Sequence, residues 1–468
     1  MKRFLTCALL CTTALAVPID SALAQSTSAP QEPPPWYSLD GNGVDLAAGS
    51  FNYARTDISI GPSADGLLAD AYKGVRPDTG VGATVGGLSY SESGSSLIWR
   101  RHSFDIYVTP TQSGATVVFG KVSDPFTRSG SEYVSALGRS SHLADLGGGS
   151  WSYTSRDGTV VLFRQYHQPT ASNSLFLAYQ ITSPNGLITS YAWKEALVAQ
   201  GTSYTEVARL QGMSTSRNYA LKFDYASNDT PSSSTSSAWL SIIATTAINI
   251  GAFKCDLTQD SSCSTISGTR TVRYGVDPST GAVLVTDPTG QTKRFTYDAA
   301  NRPTNIRLPA SSVDDYAVTY DDGGRVATLT RPWGTWTYSW TVDASLNAIS
   351  GVIVTDPTGV IRSVQIDPKI ARATSDAIAG HPPTTYQYSA SVPGQLALRT
   401  APEGNSLAYQ YDARGNITQI TRTPKPGSSL AAITTRSVYP AVCSNMATCN
   451  KPTQTIDAED MRQTMSII

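Results

Sequence analysis

One residue pair returns along this chain at a nearly fixed interval. An aromatic or apolar residue heads each unit at Tyr274, Tyr297, Tyr320, Val342, Ile366, Tyr388 and Tyr411, in steps of 22 to 24 residues. Aspartate follows the head at Asp298, Asp321, Asp343, Asp367 and Asp412, while Gly275 and Ser389 take that place in the other two units. A period of this length marks an architecture in which no unit buries a core alone and stacked neighbours share one.

The interior of the unit is regular as well. Asn301, Gly324 and Gly415 lie four residues past their heads, and Ile306, Leu329 and Ile420 lie nine past. Phe295, Val318 and Tyr409 lie two before, where strand alternation puts them on the same face as the head. The aspartate accepts backbone hydrogen bonds in a turn, and Gly or Asn tolerates the positive φ that a tight reversal demands. D-P-T-G at Asp287–Gly290 and again at Asp356–Gly359 supplies type I turn chemistry at the other end. One unit is therefore two strands and two turns, about 23 residues long, with little core of its own. A residue type repeated at one register is architectural, so Tyr297, Asp298, Asn301, Tyr320, Asp321, Gly324, Ile366, Asp367, Tyr411, Asp412 and Gly415 are expected to be structural.

Composition agrees with an all-β chain. Charged residues make up 15% of the 468, against 37 Gly, 27 Pro and 23 Tyr, and no long capped helical pattern occurs. The formal net charge is −1, with no basic stripe to suggest nucleic acid. Lys2 and Arg3, an apolar run and Ala22–Ala24 form a charged region, a hydrophobic region and a small-residue cleavage site. Residues 1–24 are read as a signal peptide cleaved near Ala24, and no later run is long enough to span a bilayer. The mature chain is expected in the periplasm, at the cell surface or outside the cell. A Pro-rich leader (25–35), a β-rich domain (36–269), the repeat array (270–424) and a degenerate, truncated segment (425–468) follow.

Export permits oxidation, and the four cysteines left after cleavage fall into two close pairs. Disulfides Cys255–Cys263 and Cys443–Cys449 are expected. The rival is a zinc site, whose ligand pairs would normally stand two to four residues apart.

The Y-D-x-x-G-[RN] units, D-P-T-G turns and period resemble the Rhs/YD-repeat family over about Tyr274 to Pro424. The stretches Gly41–Gly61 and Arg156–Phe163 resemble the segments that precede repeats in such proteins. The resemblance implies an antiparallel β-ribbon spiralling into a hollow shell, one that often encloses a C-terminal toxic domain or presents cell-surface contacts. The family's shell-closing segment, aspartyl self-cleavage region and toxin domain have no counterpart here. The expectation is thus the front part of an open shell, whose bare last strand would pair with a further shell segment or another chain.

No motif for chemistry competes with this reading. His102, His142, His167 and His381 form no H-E-x-x-H site, and no G-x-S-x-G elbow occurs. Gly80–Gly87 lacks the strand–helix context of a dinucleotide loop, and Asp40–Asp45 fails the EF-hand pattern at its fifth and sixth positions. No metal or cofactor is expected. A triad assembled from His102, Asp105 and a serine would make the chain a hydrolase, although no motif supports it. Trp336 and Trp340, flanking Tyr338 on one strand face, are either cross-strand packing or a surface for stacking on sugar rings. The leading function is a non-enzymatic exported scaffold, and the alternative is a carbohydrate-binding adhesin using those aromatics.

Overall fold

The computed structural model describes residues 39–63, 65–73, 101–102, 104, 106–119, 122–136, 140–165, 176–200, 203–231, 237–258, 269–300, 302–392, 394–443, 445, 448–456 and 462–464. The expected signal peptide and leader, and also His167, Asp105, Gly80–Gly87, Cys263 and Asn301, lie outside these residues. So does the side chain of His102.

The described residues form thirty-two strands and a single four-residue helix, Ser237–Leu240. Every strand pair is antiparallel, and almost every strand pairs with its sequence neighbour, so the chain is one long meander. Eight strands from Ile106–Pro110 to Phe176–Thr182 bend into a ring, closed where Phe176 and Leu177 pair with Val108 and Tyr107. The closing strand does double duty. Its first residues complete the ring, and Gln180, Ile181 and Thr182 pair onward with Ser190, Thr189 and Ile188. That offset turns a closed ring into a curling sheet, which runs on through the repeats to Arg462–Thr464. Pairing continues without a break across residue 270 and past residue 424.

The chain ahead of the ring supplies a filler. Tyr53–Ile60 and Leu67–Lys73 form a hairpin, extended by Arg101–His102, in a separate three-stranded sheet. This sheet packs against the inner face of the repeats. Tyr53 meets Phe295 at 5.7 Å and Tyr316 at 5.8 Å between ring centroids, and Phe51 meets Tyr316 at 5.9 Å. Val44, Leu46, Phe51 and Ile58 thereby join Val285, Phe295, Ile306, Val318 and Leu329 in a single buried cluster. Neither surface could bury its apolar side alone.

The outer face is held differently. Threonine hydroxyls meet across neighbouring strands at Thr286–Thr292, Thr296–Thr304, Thr319–Thr328 and Thr330–Thr335, at 2.6–2.9 Å. These pairs explain why Thr serves on the wet side of a β surface: it combines a branched Cβ with a hydroxyl that finds a cross-strand partner. No helix among the described residues is long and apolar enough to cross a membrane.

Candidate functional site

The recurring register positions do their work in turns, at bulges and on the inner face. The aspartates cap turns. Asp298 Oδ1 accepts the amides of Ala300 and Arg302, and Asp412 Oδ1 accepts those of Arg414 and Asn416. Asp321 accepts the Arg325 amide and, at 2.8 Å, its Nε. Gly324 and Gly415 follow with φ of 78° and 79°, a region that favours glycine. In the unit headed by Ile366, Asp367 accepts the Lys369 amide, and Ala371 takes the positive φ instead. At the opposite end of the unit Asp287 and Asp356 use the same chemistry. Hydrogen bonds from Thr289 and Thr358 hold these two carboxyls below the ordinary value. Burial pushes Asp298 up, but the hydrogen bonds and charge of Arg302 outweigh it and the net displacement is downward.

Asp40 belongs to the same class. Its Oδ1 accepts the amides of Asn42 and Val44, while Gly43 sits at φ 85°. The stretch that faintly resembles a calcium loop is a turn built like those of the repeats. The described residues contain no group of three or more His, Cys, Asp or Glu placed to hold a metal.

The tyrosines do something the period does not announce. The Val342 hairpin carries a β-bulge between Thr341 and Val342, and five others carry one just before their heads: between Thr296 and Tyr297, Thr319 and Tyr320, Gln365 and Ile366, Gln387 and Tyr388, and Gln410 and Tyr411. Opposite these five heads lie Pro303, Val326, Ala373, Leu396 and Ile417, all buried. Pairing with the following strand stops two residues short of each of the first four, at Asn305, Thr328, Ser375 and Leu398. Their carbonyls therefore face a gap, and a side chain of the next unit fills it. Tyr320 Oη donates to Pro303 O at 2.7 Å, Tyr388 Oη to Ala373 O at 2.6 Å and Tyr411 Oη to Leu396 O at 2.6 Å. Where the head is Val342, which has no donor, Trp340 Nε1 reaches Val326 O at 2.7 Å. Burial drives the hydroxyls of Tyr320, Tyr388 and Tyr411 well above the ordinary phenol value, which keeps them protonated as donors.

The device extends into the N-terminal half. Trp193 Nε1 donates to Ala178 O at 2.8 Å, and Tyr225 Oη to Leu210 O at 2.6 Å. Both carbonyls stand beside bulges, opposite Phe163 and Trp193, and onward pairing again stops two residues away. Sequence reading missed these positions because the hairpin Ile188–Gln200/Ser203–Thr215 has thirteen-residue arms, which hide the repeat period. The available signal was a buried-type aromatic fifteen residues after an apolar strand residue.

Arginine links neighbouring units. Arg302 pairs with Asp298 at 2.7 Å and lies 4.3 Å from the ring centroid of Tyr320, the next head. Tyr297 and Tyr320 both pack against the main core. Trp336 and Trp340 are half-buried against that same core, and Trp340 stacks on Tyr338 at 6.1 Å. Tyr338 Oη in turn donates to Asp40 Oδ2 at 2.6 Å. Cys443 and Cys449 form a disulfide; Cys255 is also disulfide-bonded.

The deepest polar group lies between filler and repeats. Arg55 and Asp57, with side chains 5% and 3% exposed, form an ion pair beneath the sheet. Tyr274, the first head, donates its hydroxyl to Asp57 Oδ2 at 2.9 Å, and the Arg55 guanidinium lies 4.9 Å from the Phe295 ring centroid. This cluster ties the chain before the ring to the first repeats.

The RHS Repeat family model matches residues 281–313 and 394–425. No curated protein matches the sequence. Among solved structures, TcdB2-TccC3 without its hypervariable C-terminal region aligns at TM-score 0.40 and 12% identity, over 74% of this chain and 20% of that one. The Photorhabdus luminescens Tc holotoxin pore aligns at TM-score 0.36 and 11% identity, over the same shares. This chain spans about a fifth of the length of those solved chains. The two matched segments are the units of Tyr297 and Tyr411, in which aspartate-capped turns and head tyrosines stand plainly, and over those segments the chain carries RHS repeats.

Proposed function

We propose that this chain is an exported scaffold without catalytic activity, whose curled sheet serves as shell wall or as a cell-surface platform. The observation that carries the reading is the use of the repeated polar residues. The carboxylates of Asp298, Asp321, Asp356 and Asp412 cap turns, and the hydroxyls of Tyr320, Tyr388 and Tyr411 fill gaps at bulges. A chain that spends its commonest polar pair on its own backbone is built for shape. The Trp340 indole N–H is engaged internally in the same way, which favours packing for that residue.

A partner strand is part of the proposal. Arg462–Thr464 pairs with Gln454–Ile456 along one edge, and among the described residues the other edge has no partner strand. Such an edge offers backbone donors and acceptors to a further shell segment or another chain.

Fractionation of cells expressing the full-length chain with a C-terminal tag tests export. A shortened band in the periplasm or medium supports it, and a full-length band confined to the cytoplasm overturns it. A broad hydrolase panel on the purified chain tests the absence of catalysis, and any turnover that survives repurification counts against the scaffold reading.

A further inference from the structure

Among the described residues, the filler covers only part of the inner face. Its last contacts are those of Asp40 and Asn42 with Tyr338, and the charge of Asp40 reaches Arg362. Past that point five successive strands present directly opposed residues. Tyr386 pairs with Arg399, Arg399 with Leu407, Leu407 with Arg422, and Arg422 with Ile433. Residues directly opposite on antiparallel strands share a face. Tyr386 packs against the main core, so the whole row continues the face that the filler occupies further back. Among the described residues nothing covers the far end of the row: Arg422 is exposed, and Ile433 is 51% exposed.

The charges in this row are unbalanced. Several arginines of the array meet carboxylates, as in Arg302–Asp298, Arg325–Asp321 and Arg362–Asp376. Among the described residues neither Arg399 nor Arg422 has such a partner. The charge of Arg399 acts on Tyr386, where Asp376 opposes it, and both guanidiniums act on Tyr409. They stand two strand spacings apart, roughly 10 Å, with Leu407 between them. A polyproline II segment laid across the strands presents the same face every third residue, about 9.3 Å. Carboxylates at i and i+3 of such a segment reach both guanidiniums, while its prolines lie on Tyr386 and Leu407.

We propose that the row Tyr386–Arg399–Leu407–Arg422–Ile433 is a docking site for an acidic, proline-rich, extended segment of a partner polypeptide. Charge complementarity and continuity with the filler's own interface argue for it, and it stands apart from export and from the edge strand.

The test uses the full mature chain and a fluorescent peptide of four Glu-Pro-Pro units, followed by anisotropy at low and high salt. The expected result is salt-sensitive binding that weakens about 10-fold or more for each of Arg399→Gln and Arg422→Gln, and for a Gln-Pro-Pro peptide, with Arg422→Lys retaining part of the affinity. Unchanged thermal unfolding of the variants shows that the loss is local. Equal binding of the two peptides, indifference to both substitutions, or no binding to the intact chain overturns the proposal. Binding that emerges only when residues 25–38 are removed assigns the row to this chain's own leader and also overturns it.

Discussion

At the scale of single residues, the head tyrosine carries two separable functions: its ring packs on the inner face, and its hydroxyl serves a carbonyl left facing a gap. Tyr411→Phe keeps the first and removes the second. A buried acceptor that loses its donor costs on the order of 1–3 kcal/mol, so Tyr411→Phe and Tyr388→Phe should each lower unfolding stability by about that amount in urea titrations. A loss indistinguishable from zero would mean that Leu396 O and Ala373 O are served by water. The hydroxyls also set an alkaline limit. Their folded values lie above the ordinary 10.0 of the unfolded phenol. Folding therefore holds these protons more tightly than the unfolded chain does. The associated stability is intact below pH 10 and is lost as pH rises from there through the folded values. Stability measured across alkaline pH should fall in that window, and the fall should be shallower in Tyr411→Phe. An identical slope in the variant would remove Tyr411 from the linkage.

At the scale of the element, the turn aspartates should act in the opposite pH direction. Asp287, Asp298, Asp343 and Asp356 are all held below their ordinary 3.8 by hydrogen bonds to turn amides and hydroxyls, with Arg302 assisting at Asp298. Stability from these turns is complete above that value and is lost as pH falls through the lower folded values. Acid unfolding followed by circular dichroism should begin below about pH 4. Asp298→Asn should blunt the acid response while retaining acceptor geometry, whereas Asp298→Ala should cost about 1 kcal/mol at neutral pH. If both behave alike at every pH, the charge on Asp298 is irrelevant to the turn. The turn chemistry was legible in the sequence because it is local: an aspartate and a glycine at fixed offsets determine it. So were the strand faces, from Phe295 and Ile306 or Tyr409 and Ile420, which the structure pairs directly. The bulges were not, since an extra residue such as Thr304 or Thr418 differs in no way from its neighbours until register with the partner strand is known. Trp340 standing in for a tyrosine was hidden for the same reason: it lies two residues before its unit's head and matters only through the gap at Val326.

At the scale of the whole molecule, the sheet closes its curl through contacts that no periodicity encodes. Asn450 Nδ2 donates to Ser140 O across a separation of 310 residues, bringing the end of the array against the ring. The filler binds the inner face by Arg55, Asp57 and Tyr274, residues whose sequence neighbourhoods carry no sign of one another. Removing one partner of a buried pair leaves the other charge uncompensated, at about 3–5 kcal/mol. Asp57→Asn should therefore destabilise far more than any turn variant, and limited proteolysis should cut first within the filler, between Leu39 and Lys73. Replacing both partners with apolar residues, as in Arg55→Met with Asp57→Leu, removes the stranded charge. The double variant should accordingly recover much of the loss, giving a coupling of opposite sign to the single effects. Additive losses would instead mean that the pair contributes through Tyr274 and Phe295 separately. In that case each ion would hold the filler through its own contact with the first repeats, Asp57 through the Tyr274 hydroxyl and Arg55 over the Phe295 ring, and the attraction between the two would add nothing to the way this sheet is filled.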